Sequence, residues 1–245
     1  MNILAVIPAR HGSSRFPGKP LASVAGVPMI ERVYKRVAQS DAQISVVVAT
    51  DDKRIADTVR AFDGDVVMTS EDCANGTLRC HEAVEHLESQ GQTFDAVLNI
   101  QGDEPFVHPE QIDQLADMLR TPDAAVVTLA KSMPDDPDIH LPHRVKVVRN
   151  MKGRALMFSR SPIPHGSGPW LQHVGLYGFT RTALEALVHL SPTPLEQREQ
   201  LEQLRWLDHG WRIDVGTTTH LTPSVDTPED LVAIEALIAS GNLAV

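Results

Sequence analysis

Three cations crowd one short stretch of this chain. Arg10, Arg15 and Lys19 fall within IPARHGSSRFPGKPL, residues 7–21, although the formal net charge of the whole chain is −10. Arginine can grip a phosphate through two parallel hydrogen bonds. Gly12 and Gly18 allow close backbone approach, and Pro17 and Pro20 limit the freedom that would be lost on binding. The spacing is neither a Walker loop nor the dinucleotide Gly-x-Gly-x-x-Gly. An anion site is the expectation. Carboxylates offer a second chemistry. Asp103, in QGDEP, is on residue type either a turn residue or a hard-oxygen ligand for Mg²⁺, which takes one or two carboxylates and keeps several waters. Asp226 precedes a helix start in which Thr227 is the N-cap, Pro228 the first helical residue and Asp230 the capping-box partner, so its carboxylate is not needed for capping. Asp51 and Asp52 follow another apolar run, and for Asp52 a helix cap is at least as good a reading as a site role. Glu104 reads as structural.

These residues need elements to hold them. Apolar runs fall at Ile3–Ile7, Ile44–Ala49, Val66–Met68, Ala96–Ile100 and Ala124–Leu129. Short continuous runs of this kind suit strands buried on both faces of a mostly parallel sheet. Helical faces lie between them: Ile30, Val33 and Val37; Ile55, Val59 and Phe62; Ile112, Leu115 and Leu119. The alternation predicts an α/β, doubly wound sheet with ligands at the carboxyl ends of its strands, where Arg10 and Asp103 both fall. The second half differs. Val145–Val148 and Ala155–Phe158 flank Asn150–Gly153 as a hairpin. His173–Phe179 and Trp211–Gly216 read as strands, Pro194–His209 and Thr227–Ser240 as helices. A single domain over 1–245 is expected, with a hairpin excursion around 131–180 as its candidate subdomain and candidate dimer contact. His140 and His143 read as surface residues.

Composition narrows the function. Hydrophobic residues make up 42% and charged residues 22%, as in ordinary globular chains. The acidic balance argues against a general nucleic-acid binder. No apolar run reaches membrane-spanning length, and Asn2–Pro8 lacks the charged region and cleavage site of a signal peptide. Cys73 and Cys80 read as two reduced thiols, which fits a cytoplasmic protein.

The motifs together resemble the sugar-acid cytidylyltransferases, and within them the branch that acts on 3-deoxy-manno-octulosonate (Kdo). The basic loop is followed in order by VATDD at 48–52, NGTLR at 75–79, NIQGDEP at 99–105, VKVV at 145–148, FSRSPIP at 158–164, HVGLYGF at 173–179, LEQLRWL at 201–207 and VDTPEDL at 225–231. The resemblance implies a nucleotide-diphospho-sugar transferase-like fold and a reaction in which CTP and Kdo give CMP-Kdo and pyrophosphate, for lipopolysaccharide. It implies that Arg10, Arg15, Lys19, Gly76 and Gln101 hold CTP, with Arg10, Lys19, Asp103 and Asp226 catalytic. Asp103 and Asp226 become ligands of Mg²⁺. Arg160, His173, Tyr177, Glu202 and Gln203 are assigned to the sugar acid; His173 and Tyr177 alternate so as to share one face of a strand. On residue type alone Glu202 and Gln203 would be a solvated helix face. A homodimer is also implied. One departure stands out: Leu78 occupies a position the family commonly fills with an acid, which opens the alternative of a related sugar acid such as an amino-substituted Kdo. A catalytically weak nucleotide-binding protein is the other alternative, and the presence of Arg10, Lys19, Asp103 and Asp226 argues against it.

Overall fold

The computed structural model of the protein describes residues 1–12, 16–134, 137–220 and 223–241. They form an α/β fold in two compact units, Met1–Asp113 with Leu221–Val245, and Gln114–His220.

In the first unit the apolar runs form parallel strands: β1 (Ile3–Ala9), β4 (Ser45–Thr50), β5 (Val66–Met68) and β6 (Ala96–Asn99), in the order β6-β1-β4-β5. A two-stranded hairpin, β2 (Ser23–Val24) with β3 (Val27–Pro28), lies between the first two. Ile3, Leu4, Ile7, Leu98 and Ile100 are buried, each contributing about 1.5–3 kcal/mol by leaving water. Helices α1 (Met29–Val37), α2 (Lys53–Ala61) and α3 (Gly76–Ser89) connect these strands. The strand order decides where a ligand can sit. From β1 the chain winds outward through β4 to β5, then returns to the other side of β1 as β6. The carboxyl ends of β1 and β6 therefore flank a topological switch point, the crevice that open α/β sheets use for binding. Gly102 shows how closely the two ends approach: a Cβ there would stand 2.9 Å from the Pro8 carbonyl oxygen.

The last helix, α8 (Pro228–Ala239), also belongs to this unit. Its start is as expected, with Thr227 as N-cap and Asp230 completing a capping box. Ile234 buries against Val24, Met29, Phe106 and Val225. This small core anchors the loops after β1 and β6 to the segment before α8.

Helix α4 (Pro109–Leu119) carries the chain into the second unit. There β7 (Val126–Met133) pairs parallel with β11 (Ile213–Thr218) and antiparallel with β10 (Trp170–Thr180). The expected hairpin forms as β8 (Lys146–Arg149) and β9 (Ala155–Ser159), which pair with each other, while β8 also pairs with β10. Helix α5 (Arg181–Val188) follows β10. The expected helix over 194–209 is broken. Helices α6 (Pro194–Glu199) and α7 (Gln203–Asp208) are separated by residues 200–202, with Gln200 at φ 54°. The reason is tertiary: the Arg160 guanidinium takes the carbonyls of Glu199 and Gln200, at 2.8 and 3.1 Å, and the chain turns there. Among the described residues no helix is long and apolar enough to cross a membrane.

Candidate active site

The switch-point crevice of the first unit is an open cleft of about 740 Å³, and it gathers Arg10, Lys19, Gly76, Gln101, Asp103 and Asp226. Arg15 lies outside the described residues. Arg10 leaves the end of β1. Gly18, at φ 72°, starts a single 3-10 turn, Lys19–Leu21, and directs Lys19 inward. Gln101 and Asp103 follow β6. A backbone hydrogen bond from the Val225 N–H to the Asp103 carbonyl, 3.0 Å, sets Asp226 beside Asp103.

Lys19 bridges the two acids. Its Nζ donates to Asp103 Oδ2 at 2.7 Å and to Asp226 Oδ1 at 3.3 Å. The ammonium thus stands where two carboxylates converge, as a bound cation would. Two hard oxygen donors, each partly open to solvent, fit Mg²⁺ with its retained waters. Glu104 is buried behind them, and its pKa is raised well above the usual carboxylate range by burial and then by the charges of Asp103 and Asp226.

The cleft wall also includes Asn75 and Arg79, to which the sequence alone assigns no role. Asn75 caps α3, accepting from the Leu78 N–H at 2.9 Å. Its signal was present as an asparagine three residues before Leu78, the N-cap spacing. Gly76 packs close: a Cβ would meet Gln101 Nε2 and Pro8 Cγ at 3.3 Å each. Gln101 Nε2 donates to Oδ1 of the buried Asn99 at 3.0 Å, so its amide is oriented from beneath. Arg79, also buried, is engaged with Asp51 at 2.9 Å and Thr69 at 2.6 Å and ties together the ends of β4 and β5. Asp52 caps α2, as its position suggested. Both cysteines are free and buried, and burial, followed by a hydrogen bond to Glu82, pushes the Cys73 thiol up to about 12.

The second unit holds Arg160, His173, Tyr177, Glu202 and Gln203. Arg160 follows β9 and is firmly seated. Its backbone N–H donates to Glu199 Oε2 at 2.9 Å, and its guanidinium donates to the carbonyls of Pro142 (3.0 Å), Glu199 and Gln200. Three of its five N–H directions are thereby used within the protein. The His173 and Tyr177 rings share a face, with centroids 5.3 Å apart, despite a register shift between Val174 and Tyr177. Tyr177 packs edge-on against Trp206. Its hydroxyl is buried and has no hydrogen-bond partner among the described residues. Burial and then the Glu202 charge raise its pKa, so it stays a donor. Glu202 begins α7. Gln203 is buried, not on a solvated face.

His173 Nε2 lies 3.0 Å from Thr128 Oγ1. That hydroxyl's single proton points to backbone carbonyls, Leu176 O at 2.7 Å or Val174 O at 3.3 Å. Nε2 must then be the donor, which leaves Nδ1 as an acceptor. Burial holds the imidazole pKa down to about 3. The folded value lies below the unfolded one, so the stability from keeping this ring neutral is present above about pH 6.5 and is lost as pH falls toward 3. Between pH 7 and 5 the loss should reach about 2 kcal/mol. Urea denaturation at both pH values checks this. The parent should lose about that much more than His173→Gln, and an equal loss in both would show that His173 titrates normally.

Arg160→Lys keeps the charge but cannot span three carbonyls or present a planar fork. If Arg160 also serves the sugar carboxylate, KM for the sugar acid should rise roughly tenfold while that for CTP stays within about twofold. Lower stability with an unchanged KM for the sugar acid would make Arg160 a structural clamp only.

Comparison with known proteins places these features in context. The cytidylyltransferase family profile matches residues 4–213. The 3-deoxy-manno-octulosonate cytidylyltransferase of Parabacteroides distasonis is 44% identical, covering 98% of this chain and 99% of that protein. The mitochondrial 3-deoxy-manno-octulosonate cytidylyltransferase of Arabidopsis thaliana is 43% identical over 98% of this chain and 84% of its own length. A solved CMP:2-keto-3-deoxy-manno-octonic acid synthetase complexed with CTP superposes with a TM-score of 0.91 at 39% identity, covering 98% of this chain and all of that one. A cytidylyltransferase from Leptospira borgpetersenii, at 17% identity and TM-score 0.63, shares the fold.

Proposed function

This chain belongs to the cytidylyltransferase family, in its 3-deoxy-manno-octulosonate branch, and from that premise we propose that it transfers CMP from CTP to Kdo. The anomeric hydroxyl of the sugar acid attacks the α-phosphorus of CTP, gives up its proton, and pyrophosphate leaves. One observation carries the reading. In a chain 44% identical to a Kdo cytidylyltransferase over nearly its full length, three distant segments deliver Arg10, Lys19, Gln101, Asp103 and Asp226 to one crevice.

Phosphoryl transfer asks a protein mainly for positioning and charge neutralisation. Arg10 and Lys19, with Arg15 from the same loop, supply cations for the triphosphate. Gly76 lets the nucleotide approach the start of α3, and Gln101 presents an amide held by Asn99. We assign Mg²⁺ to Asp103 and Asp226. When bound, it would neutralise charge developing on the α-phosphate. The sugar acid is assigned to Arg160 for its carboxylate, and to His173, Tyr177, Glu202 and Gln203 for its hydroxyls. The acceptor Nδ1 of His173 and the unpartnered hydroxyl of Tyr177 are suited to that task. We further assign the protein to the cytoplasm, as a homodimer in lipopolysaccharide biosynthesis.

A pyrophosphate-release assay tests the function. Release should require CTP, Kdo and Mg²⁺ together. Release with an amino-substituted Kdo but not with Kdo would move the chain to that substrate, consistent with Leu78. No release with either would leave a nucleotide-binding protein.

A further inference from the structure

The two carboxylates assigned to the metal already hold a cation that belongs to the protein. Lys19 is only 11% exposed and contacts both acids, which are 28% and 33% exposed. A divalent ion at these oxygens would sit about 2.0–2.1 Å from them. The ammonium, 2.7 and 3.3 Å from the same oxygens, cannot stay there with it: the space is shared and the charges repel.

We propose that Lys19 is an exchangeable counter-cation, which neutralises Asp103 and Asp226 in the metal-free protein and yields its place when a divalent ion enters. The inference rests on the assignment of the metal to these two acids. Two further features support it. Asp103 and Asp226 converge in a partly buried cleft, so leaving the pair without any cation would be costly. The backbone around Lys19 is pinned, with Gly18 N–H donating to His11 O at 2.9 Å, Lys19 N–H to Phe16 O at 3.2 Å and Leu21 N–H to Gly18 O at 2.9 Å. Exchange therefore needs only rotation of a flexible side chain. The cleft supplies a destination, because a triphosphate beside Arg10 offers new anionic partners. The consequence is an ordered site. Metal binds weakly until nucleotide draws Lys19 away, so the acids are never left bare and the metal is not held idle.

Mn²⁺, which accepts the same hard oxygen ligands, is the probe. Its binding to the nucleotide-free, full-length protein is followed by electron paramagnetic resonance, with Mg²⁺ as competitor. Lys19→Met should bind Mn²⁺ about tenfold more tightly than the parent, as expected for loss of a partly buried competing ion pair. Lys19→Arg, which keeps the charge, should stay close to the parent. Mn²⁺ should also raise the melting temperature of Lys19→Met more than that of the parent. Should Lys19→Met fold poorly, Lys19→Gln serves in its place. Asp103→Asn in the Lys19→Met background should abolish the tight site. The inference is overturned if an Asp103-dependent site is present but neutral residues at position 19 bind Mn²⁺ no more tightly than lysine, or if Lys19→Arg tightens binding equally. If no variant shows Asp103-dependent Mn²⁺ binding, with or without CTP, the metal assignment itself fails.

Discussion

Asp103→Asn should lower turnover on the order of a hundredfold or more, the scale set by removal of other key electrostatic groups. Asparagine preserves size and one acceptor oxygen. The backbone carbonyl of residue 103 still receives the Val225 N–H, so the loop and its neighbour Asp226 should stay in place. What disappears is one formal charge from the proposed metal shell. That charge matters most when the α-phosphate is attacked, so the effect should fall on kcat more than on KM. Asp226→Asn should behave alike. The double variant should lose far less than the product of the two single losses, because both acids act through one ion. Lys19 gives a second signature. With either acid neutralised its ammonium has one charged partner in place of two, so the melting temperature should change little while turnover collapses. Full activity in excess chelator, or parental turnover by Asp103→Asn, would sink the metal assignment.

The second large effect concerns the base. CTP should be preferred to UTP by on the order of a hundredfold or more in kcat/KM. Cytosine carries an exocyclic amine where uracil carries a carbonyl. One N–H of the Gln101 amide goes to Asn99 Oδ1, which fixes the amide's orientation and leaves its carbonyl as an acceptor for the cleft. A cleft that accepts from the amine would set acceptor against acceptor with UTP, and a buried group left unpaired costs about 1–3 kcal/mol. Steady-state kinetics with each nucleotide at saturating sugar acid measures the ratio. Comparable specificity constants would show that the base is not read this way.

Much of the scaffold was legible because its causes are local. Parallel strands buried on both faces appear as unbroken apolar runs, so β1, β4 and β6 could be read directly, and the short apolar run of β5 forms the edge strand. The α8 start was equally plain, since Thr227, Pro228 and Asp230 act on backbone groups within one turn. The same logic offered Asp52 as a cap beside a site role, and the structure makes it the α2 cap. A basic loop after the first strand suggested an anion site through residue type alone, and its Arg10 and Lys19 line the switch-point crevice. Local signals misled where a distant partner competes for the backbone. The apolar stripe of 194–209 predicts one helix, but Arg160, remote in sequence, takes the carbonyls that would continue it. Gln203 looks solvated by pattern and is buried in fact.

The amino-acid sequence by itself determined the first-unit strands, the α8 start and the chemical character of each candidate residue, for these depend on side-chain volume, charge and hydrogen bonds within a few positions. Tertiary structure alone decided which of those residues meet. The strand order brings the ends of β1 and β6 together, and one backbone hydrogen bond between Val225 and Asp103 joins segments far apart in the chain. Only then do two acids of like charge converge, and Lys19 between them offsets their repulsion.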